Sequence, residues 1–270
     1  MGTGNPNPDP MRFGPSLAII VKESSYIIDF GIGITRRTDY AYYNLGIKPL
    51  ESSRLIKGFL THLHSDHTLG YPDLILTPWI MGRTQPLEIY GPQGTKKMTE
   101  DILRAYELDI KERINGLEPA NPSGYKVHVN EITPGLVYED ENIRVEAFHV
   151  NHGTLISYGF KFITPDKIIV ISGDTAPFQE CIDLYKECDI LIHEVYSSKI
   201  FQTLPQEWQK YHSSVHTSSY ELGEIASKIK PELLILYHQL FWGVSEAELV
   251  AEVKEGYNGK VVSGKDLQIF

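Results

Sequence analysis

Short apolar runs alternating with polar, turn-forming stretches divide the chain into many small elements. Residues 17–21, 26–30, 55–60, 87–90, 143–150, 158–163, 168–171, 190–192 and 233–237 are rich in Ile, Val, Leu, Phe and Tyr, and read as strands. Between them the spacing changes to a helical period. Met98, Ile102, Tyr106 and Ile110 recur at every fourth position within 95–114, and 176–187, 217–229 and 246–255 also read as helices with one apolar face. Ser245 and Glu248 form a capping-box pattern before the last helix, and Pro231 closes the one preceding it. Residues 117–124 (LEPANPSG) read as a long loop. With no repeat or linker to divide it, residues 1–270 are expected to form a single domain of mixed α/β class.

Composition narrows the field. Hydrophobic residues at 41% and charged residues at 22% are ordinary globular usage, which removes disordered and fibrous classes. A formal charge of −10 argues against a large nucleic-acid footprint, because phosphate-tracking surfaces depend on clustered Lys and Arg. The adjacent pairs Arg36–Arg37 and Lys96–Lys97 are expected to be solvated surface. Cys181 and Cys188 lack a Cys-x-x-Cys spacing and read as buried free thiols on one helix face. No apolar run approaches the ~20 residues of a membrane span, and no charged-then-apolar leader is visible. Cytoplasm is therefore expected, with an exported precursor stripped of its leader as the alternative.

The chemistry lies where strands give out. Apolar runs lead into His62, into Asp174, into His193 and Glu194, and into His238. Strand carboxyl ends are where ligands bind in open α/β sheets, since the chain turns outward there and side chains converge. His62, His64, Asp66 and His67 form H-x-H-x-D-H, three imidazoles and a carboxylate within six residues. Such a set suits zinc, and also manganese or iron.

THLHSDH followed by Gly70 resembles the signature of the metallo-β-lactamase superfamily, and further landmarks follow in order: the opening GTGNPNPD, the Asp29–Gly31 turn, VNHG, SGDT and HEVY. The resemblance implies a four-layer αββα sandwich of two mixed sheets flanked by helices. It implies a binuclear centre of two divalent ions, zinc before manganese or iron. One ion would be held by His62, His64 and His152, the other by Asp66, His67 and His238, and Asp174 would bridge them. His149 is a rival to His152, which is preferred because it precedes Gly153 and the later Tyr158-Gly159-Phe160 stretch. Asp29 resembles the aspartate that braces the metal loop.

The finer resemblance is to the ribonuclease Z and arylsulfatase branch, carried by HEVY and by His216-Thr217-Ser218. It implies that Glu194 orients His216 and that His216 pairs with Asp66 to move protons while a metal-activated hydroxide attacks. His193 is expected to be structural, and His212 is an open candidate for the site. Tyr40, Tyr42, Tyr43, Trp79, Phe241 and Trp242 are candidate pocket walls, Trp242 foremost. The departure from ribonuclease Z that bears on substrate is the short span from His152 to Asp174, which has no room for that branch's long arm. With the acidic balance, this leads to the expectation of a phosphodiesterase acting on a small anionic ester, with no large nucleic-acid footprint and no membrane as partner. An arylsulfatase, lactonase or thioesterase remains the alternative, and a di-iron redox protein or a binding module without catalysis the remote ones. Oligomeric state is left open, a homodimer included.

Overall fold

A computed structural model describes all residues 1–270, and they fall into two units. The first comprises residues 1–2, 6–132 and 266–270, the second residues 3–5 and 133–265.

The first unit is built on a five-stranded sheet. Strands β1 (Leu17–Val21) and β2 (Ser24–Ile28) form an antiparallel hairpin; β3 (Lys57–Phe59), β4 (Leu87–Gly91) and β5 (Val127–Glu131) then add parallel, in the order β1-β2-β3-β4-β5. Its helices are α1 (Ile34–Leu45), the single turn α2 (Ser65–Thr68), α3 (Tyr71–Ile80), α4 (Thr95–Ala105) and α5 (Glu107–Asn115). Ile27, Phe30, Leu60, Leu74, Trp79, Leu87 and Ile89 form its core. The single helix expected over 95–114 is broken at Tyr106, which separates α4 from α5. Trp79 is core and not a pocket wall: it is buried, and its indole N–H donates to the Asn121 carbonyl at 2.7 Å.

One buried cation holds this unit together. Pro78 inside α3 has no N–H to give the Leu74 carbonyl one turn back. Arg83 supplies it: Nη1 donates to Leu74 O and Leu55 O, Nη2 to Ile75 O and Gly124 O, and Nε to Gly124 O, at 2.6–3.1 Å. All five bonds end on carbonyls, tying the loop 117–124 to the helix although Arg83 is only 1% exposed. Arg83→Met is expected to lower stability by about 3 kcal/mol or more, since several buried acceptors lose their donors at once. Urea unfolding should show a lower midpoint at unchanged slope; a loss under about 1 kcal/mol would contradict this account.

The second unit carries a seven-stranded sheet. Strands β6 (Gly135–Glu139), β7 (Arg144–His149), β8 (Tyr158–Ile163) and β9 (Ile168–Ile171) run antiparallel in succession. Strands β10 (Ile190–Tyr196), β11 (Leu233–Leu240) and β12 (Val261–Ser263) join β9 in parallel. Helices α6 (Cys181–Tyr185), α7 (Ser198–Phe201), α8 (Gln206–Val215), α9 (Ser219–Ile229) and α10 (Glu246–Lys254) complete it, over a core that includes Val170, Leu191, Val195, Leu222, Leu234, Leu236 and Leu249. The capping box at Ser245 and Glu248 is present, and a second one at Ser218 and Glu221 starts α9. The helix expected over 176–187 shrinks to α6; Cys181 lies in it and Cys188 beyond it, both buried and unbridged. No helix is long and apolar enough to cross a membrane.

Candidate metal centre

In the first unit, His62 follows β3 and His64 stands extended just before α2, whose single turn carries Asp66 and His67. A three-residue stretch after β2 grips this segment. Asp29 N–H donates to Phe59 O, Phe30 N–H to His67 O, and Gly70 N–H to Phe30 O. Gly70 has to be glycine, because a Cβ there would sit 2.3 Å from the Gly31 carbonyl oxygen. Asp29, itself in the left-handed region at φ 56, aims its carboxylate inward: Oδ1 accepts from Thr61 N–H at 2.8 Å and Oδ2 from His67 Nδ1 at 2.8 Å. The Thr61 hydroxyl reaches the same carboxylate at 3.0 Å and lies 2.9 Å from His62 Nδ1. Both His62 and His67 are thereby oriented through one nitrogen, leaving the other for a ligand.

The donor set fits a cation. With Nδ1 of His67 given to Asp29, its Nε2 carries the lone pair, yet that atom lies 3.3 Å from Asp66 Oδ2. Two acceptors that close repel unless a cation or proton lies between them. His62 Nε2 and His64 Nδ1, at 3.0 Å, present a second close pair of ring nitrogens.

In the second unit, His152 follows β7 and Asp174 follows β9, in a loop where Gly173 takes φ 62. The two loops are stitched together by Ala176 N–H to Asn151 O at 2.8 Å and Asn151 N–H to the Thr175 hydroxyl at 3.1 Å. His152 Nδ1 donates to the Val215 carbonyl at 2.8 Å, so its Nε2 is again the lone-pair atom, 4.0 Å from Asp174 Oδ2. The rival His149 is exposed on β7 and stacks on Tyr158. Ligand atoms of His152, Asp174 and His216 lie within 4.8 Å of one another, and so do those of Glu194, His216 and His238.

Glu194 and His238 do not follow strand ends, as the apolar runs suggest; β10 and β11 continue past them. His238 is aimed by a bulge instead. Glu194 pairs with Tyr237 and Val195 with Gln239, which leaves His238 as the extra residue, in the left-handed region at φ 46. Its Nε2 reaches 3.4 Å from Asp174 Oδ2. Glu194, fully buried, collects three donors on Oε1: His216 Nδ1 at 3.1 Å, Thr217 N–H at 3.0 Å and Thr175 N–H at 3.1 Å. One carboxylate oxygen therefore fixes the ring of His216 and the loop bearing Asp174. Its other oxygen has no hydrogen-bond partner.

His193, beside Glu194, donates Nδ1 to the Glu194 carbonyl, and burial pushes its pKa down to about 4. It stays neutral and inside the sheet. His212 is pushed down to about 4 as well, by burial first and by His216 second, and lies among Trp208, Tyr211 and Trp242. Sequence reasoning met Thr61, Thr175 and Thr217 inside its motifs but missed that they, and the Val215 carbonyl, hold the candidate ligands in place. A threonine directly beside each of His62, Asp174 and His216 is the one signal for them.

A family model described as the beta-lactamase superfamily domain matches residues 46–239. A Ribonuclease Z from Mycobacterium sp. (strain KMS) is 30% identical over 272 residues, 99% of this chain and 93% of that protein. Among solved structures, the metallo-beta-lactamase fold protein YhfI from Bacillus subtilis superposes with a TM-score of 0.75 at 16% identity, covering 98% of this chain and 95% of its own. The short form of human tRNase Z gives 0.70 at 23%, covering 100% and 96%. The expected fold of two mixed sheets with helices is thus present. The expectation of a small anionic ester substrate with no large nucleic-acid footprint is overturned, because a relative named Ribonuclease Z aligns over nearly the full length of both chains. Net charge misled there because it sums the whole surface, whereas phosphate is met locally, and a cation centre can itself supply the positive field.

Proposed function

The chain belongs to the beta-lactamase superfamily, and from that membership we propose that it is a metal-dependent ribonuclease cleaving a phosphodiester bond in RNA of the transfer-RNA type. The name of the 30%-identical relative supports the substrate class. The observation that carries the chemistry is His216, held through Nδ1 by a buried carboxylate and grouped with His152 and Asp174.

In this scheme His62, His64 and His152 would hold one divalent ion, Asp66, His67 and His238 the other, and Asp174 would be shared, as the sequence resemblance implies. Zinc suits the imidazole and carboxylate donors, with manganese or iron as alternatives. When bound, such ions lower the pKa of a water and neutralise charge on the phosphate oxygens. His216, oriented by Glu194, gives a proton through Nε2 to the departing ribose oxygen, which is too basic to leave as an anion. Asp66 pairs with His216 in moving protons. Residues 1–270 are proposed to work as one domain. A cytoplasmic setting matches such a substrate.

The test is cleavage of end-labelled transfer RNA, with and without single-stranded extensions, by metal-reconstituted protein. Site-specific scission that a chelator abolishes and added zinc or manganese restores is expected. Intact RNA alongside turnover of an aryl sulfate, lactone or thioester would overturn the reading in favour of another ester hydrolase.

A further inference from the structure

Helix α8 leads into His216 with a row of aromatic rings on one side. Trp208, Tyr211 and His212 are spaced to share a face. Tyr211 lies 5.0 Å from His212 and 6.3 Å from His216, ring to ring, and Trp208 stacks on His212 at 5.8 Å with an interplanar angle of 27°. His212 in turn is 5.7 Å from His216. The rings therefore run without interruption from the candidate proton donor out to solvent, where Trp208 is 52% and Tyr211 45% exposed.

Trp242 supports this row from behind. It sits at φ 47, a conformation costly for a bulky residue, and its ring packs edge-on against His212 at 4.7 Å and tilted on Tyr196 at 5.5 Å. The outer rings, Trp208 and Tyr211, meet each other nearly at right angles at 5.9 Å and so present two differently inclined faces.

Resting on the ribonuclease reading, we propose that Trp208 and Tyr211 form a stacking platform for the nucleobase of the nucleoside whose oxygen His216 protonates. A nucleoside joins its reacting oxygen to its base through one ribose, and one ring spacing separates His216 from Tyr211. Flat, uncharged rings accept any base through its π face, so the platform positions the nucleoside without reading its identity.

Two RNAs test this, one intact and one identical but lacking the base of that nucleoside, with binding read by fluorescence anisotropy of the labelled strand on the full chain. The intact RNA is expected to bind the unmodified protein roughly 5- to 150-fold more tightly than the abasic one. Trp208→Ala and Tyr211→Ala should shrink that ratio towards one, while Trp208→Phe keeps most of it. Both positions are exposed, and circular dichroism checks that the fold is kept. Equal binding of the two RNAs by the unmodified protein, or an unchanged ratio in Trp208→Ala, would overturn the platform. RNA cleaved but bound with no base dependence sinks the platform alone; base-dependent binding with no cleavage under any metal sinks the ribonuclease reading and leaves Trp208 and Tyr211 as a base-stacking site with no reacting oxygen beside it.

Discussion

Asp174→Ala is expected to reduce RNA cleavage by about a thousandfold or more and to lower the protein's metal content. The carboxylate is buried, and its Oδ2 is 4.0 Å from His152 Nε2 and 3.4 Å from His238 Nε2. In the proposed scheme it is the ligand both ions share, so its loss weakens the charge stabilisation of both together. That stabilisation is several kcal/mol, and about 4 kcal/mol corresponds to a factor near a thousand in rate. Elemental analysis after dialysis gives the metal count, and single-turnover cleavage gives the rate. Full metal content with a rate within tenfold of the unmodified protein would remove Asp174 from the centre.

His216→Ala carries the second large effect, with a different signature. If His216 only delivers a proton to the leaving oxygen, kcat on RNA should fall by about 10²–10⁴. Bis(4-nitrophenyl) phosphate, whose leaving group departs as a stable anion, should be hydrolysed nearly as fast as before. Asp174→Ala, in contrast, should slow both substrates. Glu194→Gln separates positioning from charge. The amide oxygen can still accept from His216 Nδ1, Thr217 N–H and Thr175 N–H, so the fall should be smaller than for His216→Ala. Glu194→Ala leaves three donors stranded in a fully buried place and should cost stability as well as rate. Equal losses on both substrates in His216→Ala would assign His216 to metal or phosphate binding and away from proton transfer.

Several features were legible because they rest on local physics. The strands over 158–163 and 168–171 are where their apolar runs lie. The Ser245 capping box needs only two side chains three residues apart. The H-x-H-x-D-H cluster is dense enough that clustering alone suggests a cation. Other elements left no local signal. α1 buries Ile34, Thr35, Thr38 and Ala41, two of them polar, so its inner face is poorly marked by hydrophobicity. β6 has exposed and half-buried positions with no clear alternation, and α3 is apolar on most sides with a proline inside. In each case neighbours from distant parts of the chain, and not the segment's own pattern, determine what is buried.

By itself the sequence showed the H-x-H-x-D-H cluster, a matter of residue type and spacing, while the family and the full set of candidate ligands came from resemblance to known sequences. It also exposed its own weak inference, from net charge to substrate, which the ribonuclease relatives overturned. Tertiary structure alone decided how the candidates are aimed. Asp29 reaches His67 across 38 positions of chain, Glu194 reaches His216 across 22, and His152 is turned by the Val215 carbonyl 63 residues away. A hydrogen bond depends on position to within a few tenths of an ångström, and only the packed fold brings such distant segments that close. The bulge that turns His238 out of register is likewise a property of two paired strands, written in neither one alone.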